Sequence, residues 1–154
     1  MANSGKPFQY TLDPVIKKNN WDINTLKIEA AQAKEVVDKY MAESEELRMK
    51  IEKLEQDIRA SHEPNSLIIC DKYEGTKNFL NHQHQLLEVK RKELEQAEYV
   101  YEQIVSQLRS LKQSTKGLEN HRRGKKKIYQ MQQERAAIIE ADDAWLMRRR
   151  HSKT

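Results

Sequence analysis

The chain of 154 residues holds one cysteine, four glycines, three prolines and ten aromatic residues (two Trp, two Phe, six Tyr), and each scarcity excludes something. The lone Cys70 closes no internal disulfide and has no basic neighbourhood beyond Lys72, so it reads as an idle thiol rather than a nucleophile. Four scattered glycines build no loop to cradle phosphates, which assigns any nucleotide chemistry to a partner. Ten aromatics in a chain that is 34% charged are too few to fill a globular core or to enclose a small-molecule pocket. Apolar runs are short, as at Leu67 to Cys70, against the roughly 18 to 20 residues that span a bilayer. No N-terminal run resembles a signal peptide, so a reduced, cytoplasmic setting without direct membrane insertion is expected. His82 and His84 lie two apart, roughly 200° around a helix, with no third ligand placed to complete a metal site. No catalytic residue, cofactor or metal is expected, and the protein is read as not an enzyme.

What is present is periodicity. Ile23, Leu26, Ala30, Ala33, Val37, Tyr40, Ser44, Leu47, Ile51, Leu54 and Ile58 follow a 3-4-3-4 spacing broken only by Ser44. Leu80, Gln83, Leu87, Lys90, Leu94, Ala97, Tyr101, Ile104, Leu108, Leu111, Thr115 and Leu118 follow it again, with Gln83, Lys90 and Thr115 as polar exceptions. A mean period of 3.5 keeps one narrow stripe against a partner helix as both supercoil. Asp13 followed by Pro14 is a strong helix start, and the first seam extends back through Asn19, Ile16 and Leu12. The sequence therefore predicts a first helix over about 14–60, a turn over about 61–66 around Pro64, and a second helix over about 67–147.

A short turn makes the helices antiparallel neighbours, and the fold class is all-α: a two-helix coiled-coil hairpin forming a single elongated unit over 1–154. With the turn centred near residue 63, facing residue numbers sum to about 126 and Pro14 falls opposite Lys112. The second helix then overhangs its partner by roughly 35 residues, or about 50 Å. Charge separates this overhang from the rest: residues 1–111 carry 16 Lys or Arg against 19 Asp or Glu, whereas residues 112–154 carry 12 against 5. Two runs supply most of the excess, Arg122-Arg123-Gly124-Lys125-Lys126-Lys127 and Arg148-Arg149-Arg150. Ile128, Met131, Ile138, Ile139, Trp145 and Leu146 form a looser apolar stripe there that calls for a different partner. Gly117 and Gly124 each cost a helix roughly 1 kcal/mol relative to alanine and predict a place where the arm bends or frays.

The capped first helix, the proline-containing turn, the aromatics opening the second helix (Tyr73, Phe79) and the stretch Glu134-Arg135 … Asp142-Asp143-Ala144-Trp145-Leu146-Met147-Arg148-Arg149 resemble the FliJ/YscO family of flagellar and virulence type III secretion systems. Asp143 stands where family members usually carry Glu. The resemblance implies a central stalk similar to the gamma subunit of rotary ATP synthases. The joined N- and C-terminal end would sit in the pore of a hexameric secretion ATPase, and the outer coiled coil would meet the cytoplasmic domain of the export gate and secretion chaperones. The location it implies is cytoplasmic, peripheral to the inner membrane through the export apparatus. Arg122, Arg123, Lys125, Lys126, Lys127, Arg148 and Arg149 are then the candidates for ring contact, and Tyr73, Phe79 and Leu80 for the gate or chaperone.

Two other readings compete. A basic helix can track phosphates, with affinity that falls steeply with salt, although Glu140, Asp142 and Asp143 interrupt the stripe and nucleic acid is not the expected partner. Alternatively the seams could pair between copies in a dimeric scaffold, whose melting midpoint would shift with concentration; the hairpin predicts a monomer.

Overall fold

A computed structural model describes residues 7–60 and 70–151. Two helices make up the described architecture, α1 over Asp13–Ala60 and α2 over Cys70–His151, packed against each other as a two-helix hairpin. The turn expected at 61–66, and the residues from 67 expected to open the second helix, lie outside the described residues. α1 begins where the Asp-Pro pair predicts: the Ile16 amide donates to the Leu12 carbonyl at 3.0 Å and the Asp13 amide to that of Tyr10 at 3.1 Å. α2 passes through Gly117 and Gly124 without a break, and a Cβ added at either would meet nothing within 4 Å.

Every residue assigned to the two seams is buried or half-buried, from Ile23 to Ile58 on α1 and from Leu80 to Leu118 on α2. Contacts divide the described chain into two units. Residues 25–108 form one, and the residues up to Asn24 join those from Arg109 onward in the other. In the first, Leu47, Ile51 and Leu87 form a buried cluster with Leu80 packed against it. In the second, Tyr10, Ile16, Ile23 and Thr115 are buried.

The register differs from the sequence expectation. The Lys90–Glu43 ion pair (3.0 Å), the placement of Lys34 over the Tyr101 ring and the Asp13–Arg122 pair (3.2 Å) put the sum of facing residue numbers near 134, not 126. This is a slip of about one heptad. Both seams repeat every seven residues, so a slip of seven leaves every seam residue facing the partner, and periodicity alone cannot select between the two registers. Side-chain complementarity can. In the observed register the polar breaks coincide, Ser44 level with Lys90 and Asn19 with Thr115, while Ala33 and Ala30 stand across from the larger Tyr101 and Ile104. One heptad earlier, Lys90 would face Val37 and Thr115 would face Leu12, burying polar groups against apolar ones. Thr115, only 4% exposed, satisfies its hydroxyl by donating 2.8 Å to the Leu111 carbonyl.

Lys90 shows how a cation is held in such a seam. Its ammonium lies 3.0 Å from Glu43 and 2.9 Å from Glu93, and 5.4 Å from the centroid of the Tyr40 ring. Hydrogen bonds to Glu93 and Glu43 raise its pKa above the ordinary lysine value, so it stays charged in place.

Candidate functional site

The N-terminal residues ahead of α1 pack on α2 and shorten the overhang. Phe8 meets Tyr129 with ring centroids 5.7 Å apart, and Tyr10, 7% exposed, meets His121 at 5.6 Å. The Tyr10 hydroxyl lies 2.7 Å from His121 Nδ1 and 3.5 Å from the Leu118 carbonyl oxygen. Gln9, Thr11 and Leu12 complete one wall of a groove of about 430 Å³ whose other wall includes His121, Lys125, Ile128 and Gln132. Tyr129 falls one further heptad along the seam through Thr115 and Arg122, so the seam continues beyond Leu118. Arg122 occupies a seam position and is held by Asp13, and Tyr129 receives Phe8.

The uncovered part of α2 therefore begins near residue 130, rather than at Lys112. From 130 to 150 every residue is exposed, a length of roughly 30 Å at 1.5 Å per residue. Ile138, Ile139, Trp145, Leu146 and Met147 are between 49% and 69% exposed.

The basic candidates separate by environment. Arg123, Lys126 and Lys127 are exposed on α2, Lys125 borders the groove beside Phe8 and Tyr10, and Arg122 is engaged with Asp13. Nearer the C-terminus, Arg148 Nε donates 3.3 Å to the Ala144 carbonyl and the Arg149 guanidinium sits 5.1 Å from the centroid of the Trp145 ring. These last contacts lie within one helical turn and leave the arginine faces open to solvent. Of the candidates near the start of α2, Phe79 is 51% exposed, whereas Leu80 is half-buried and committed to the Leu47–Ile51–Leu87 cluster. Tyr73 belongs to α2, but its side chain lies outside the described residues.

Some surface residues were absent from the sequence candidates. Leu86 and Val89 extend the exposed apolar line that Phe79 begins. Ala33, Val36 and Tyr40 form, with Val89, Ala97 and Val100, an open apolar groove of about 540 Å³ between the two helices of the 25–108 unit. The spacing of Leu86 seven residues after Phe79 was a usable signal. The groove needed the register, because it depends on which valines of α1 and α2 face the same side.

Among the described residues, no three His, Cys, Asp or Glu side chains converge as metal ligands, and no helix is long and apolar enough to cross a membrane. The fold and its surfaces thus define a charged two-helix coiled-coil hairpin with an exposed helical arm. No protein-family model, curated protein or solved structure matches the chain.

Proposed function

We propose that this protein is a non-enzymatic stalk of a type III secretion export apparatus, whose terminal arm enters a hexameric ATPase and promotes its assembly and activity. The observation that carries the reading is the arm: from residue 130 onward α2 has, among the described residues, no second helix beside it and presents Trp145 and the 138–139 isoleucines to solvent. A single helix fits a narrow ring where a paired coil is too wide. Arg123, Lys126, Lys127 and the arginines at 148–150 can be drawn to acidic pore loops by the field of the ring. Arg122 would meet the ring with the Asp13 carboxylate 3.2 Å away.

On the same reading the export gate or a secretion chaperone docks on the 25–108 unit, along the line Phe79, Leu86 and Val89. The protein would work in the cytoplasm, peripheral to the inner membrane through the apparatus it serves. Site-specific photocrosslinking tests these assignments. Probes at Lys126 and Trp145 are expected to capture the ATPase and a probe at Phe79 a gate or chaperone protein; capture of neither by all three positions would overturn the reading.

The nucleic-acid reading is favoured by one observation, the exposed lysines at 126–127. A salt titration on random duplex separates it, because phosphate binding would weaken steeply with salt and persist in the absence of the ATPase.

A further inference from the structure

The apolar stripe of the arm is interrupted by two charged residues, and their placement is informative. Ile128, Met131, Arg135, Ile138, Asp142, Trp145 and Arg149 follow 3-4 spacing, with Ile139 and Leu146 widening the face. Arg135 and Asp142 have opposite signs and stand three and a half residues either side of the midpoint between Ile138 and Ile139. A two-fold axis through that midpoint, with a second arm running antiparallel, exchanges the interruptions. Each Arg135 then lies beside Asp142 of the other copy, the isoleucines meet at the centre, and Met131 approaches Leu146 of the other copy. The two charged interruptions and the apolar centre between them are their own complement, as an isologous interface requires, while Trp145 meets Gln132 at the flank.

We infer that the uncovered arm is a self-association surface, through which two copies pair antiparallel about Ile138 and Ile139. The occupant is a second copy on grounds of charge. Interruptions of opposite sign at symmetric positions complement each other only in this orientation, whereas a parallel pair would set Arg135 against Arg135 and Asp142 against Asp142. The hairpin seams are already filled within one chain, so association leaves them untouched. The contact spans about two and a half heptads, residues 130–147 of each arm, small against the roughly 800 Å² per partner of a standard stable interface. Beyond its ends Lys127 faces Arg150 of the other copy, and these like charges repel. Both features set a weak, reversible dimer that dissociates on dilution and whose arms become available to a tighter partner. This inference does not depend on the stalk reading.

Sedimentation equilibrium of the full chain over a concentration series is the test. Wild-type protein is expected to dimerise at roughly tens of micromolar, and Arg135→Glu or Asp142→Arg alone to weaken the dimer by at least about tenfold, because each variant places like charges together twice. The double variant R135E/D142R restores the pairing with signs exchanged and is expected to return the association to near the wild-type value. All three variants change exposed positions outside the hairpin contacts, and the double variant controls for damage to the helix. In a Cys70→Ser background, paired cysteines at positions 131 and 146 should form intermolecular disulfides while a single cysteine at 146 should not. A wild-type chain that stays monomeric across the series would overturn the inference and assign the stripe to a different protein. Failure of the double variant to recover, or ready crosslinking through 146 alone, would overturn the antiparallel pairing.

Discussion

A charged residue at a seam position is tolerated when its head reaches the rim and its stem stays against apolar neighbours, and Lys90 does this between Glu43 and Glu93 beside Tyr40. Its raised pKa fixes the sign of its pH dependence. The stabilisation is fully present below the ordinary lysine value of 10.5 and fades only as pH rises through the still higher folded value, so Lys90 adds no slope between pH 7 and 9. Glu45 and Glu46 behave oppositely. Arg48 and Lys50 hold their carboxyls below the ordinary 4.5, so their contributions are present above that value and are lost as pH falls through the folded value. The melting temperature should therefore be flat near neutrality and decline on acidification below about pH 4.5, less steeply in high salt, as followed by circular dichroism. Glycine offers a second expectation. Gly117 and Gly124 lie inside an unbroken helix with open space around them, so Gly→Ala at either is expected to stabilise by up to about 1 kcal/mol in thermal or denaturant unfolding.

The helices and their buried faces were legible because heptad spacing states them directly; each residue from Ile23 to Ile58 and from Leu80 to Leu118 that the pattern assigned to a seam is at least half-buried. The register was not, since a slip of seven preserves the pattern and only the matching of Ser44 with Lys90 and Asn19 with Thr115 selects one alignment. Replacing Lys90 with Leu tests that selection. The variant is expected to melt higher, having replaced the charged member of the Ser44–Lys90 layer with an apolar one, yet to lose the single alignment, visible as weakened hydrogen-exchange protection at the helix ends. The N-terminal packing was also hidden, because Phe8 to Leu12 has no helical period and its partners His121 and Tyr129 are more than 100 residues away. Tyr10→Phe removes the hydroxyl's contacts with His121 and the Leu118 carbonyl and is expected to cost about 1 kcal/mol. Tyr10→Ala also empties a buried aromatic site and should cost about 3 kcal/mol, with faster amide exchange over 118–129. Of the candidate contacts, the runs at 122–127 and 148–150 stood out as charge, but composition could not show that Asp13 engages Arg122 or that Leu80 belongs to the core.

For the molecule as a whole, the proposed function rests on surfaces the hairpin leaves uncovered. Arm, apolar line and basic runs are all displayed on helices, with no enclosed site among the described residues. The N-terminal packing also determines how the arm should be removed: a cut at residue 120 would strip His121, Arg122 and Tyr129 from Tyr10, Asp13 and Phe8, whereas a cut after Gln130 spares these contacts. For the proposed stalk role, the most direct measurement is the activity of the host's candidate secretion ATPase, at concentrations where it is mostly monomeric, with the intact chain and with a variant lacking residues 131–154. Stimulation by the intact protein that disappears with the arm is the expected result. Absence of stimulation by the intact protein, or equal stimulation by the shortened one, would contradict the placement of the arm in the ring.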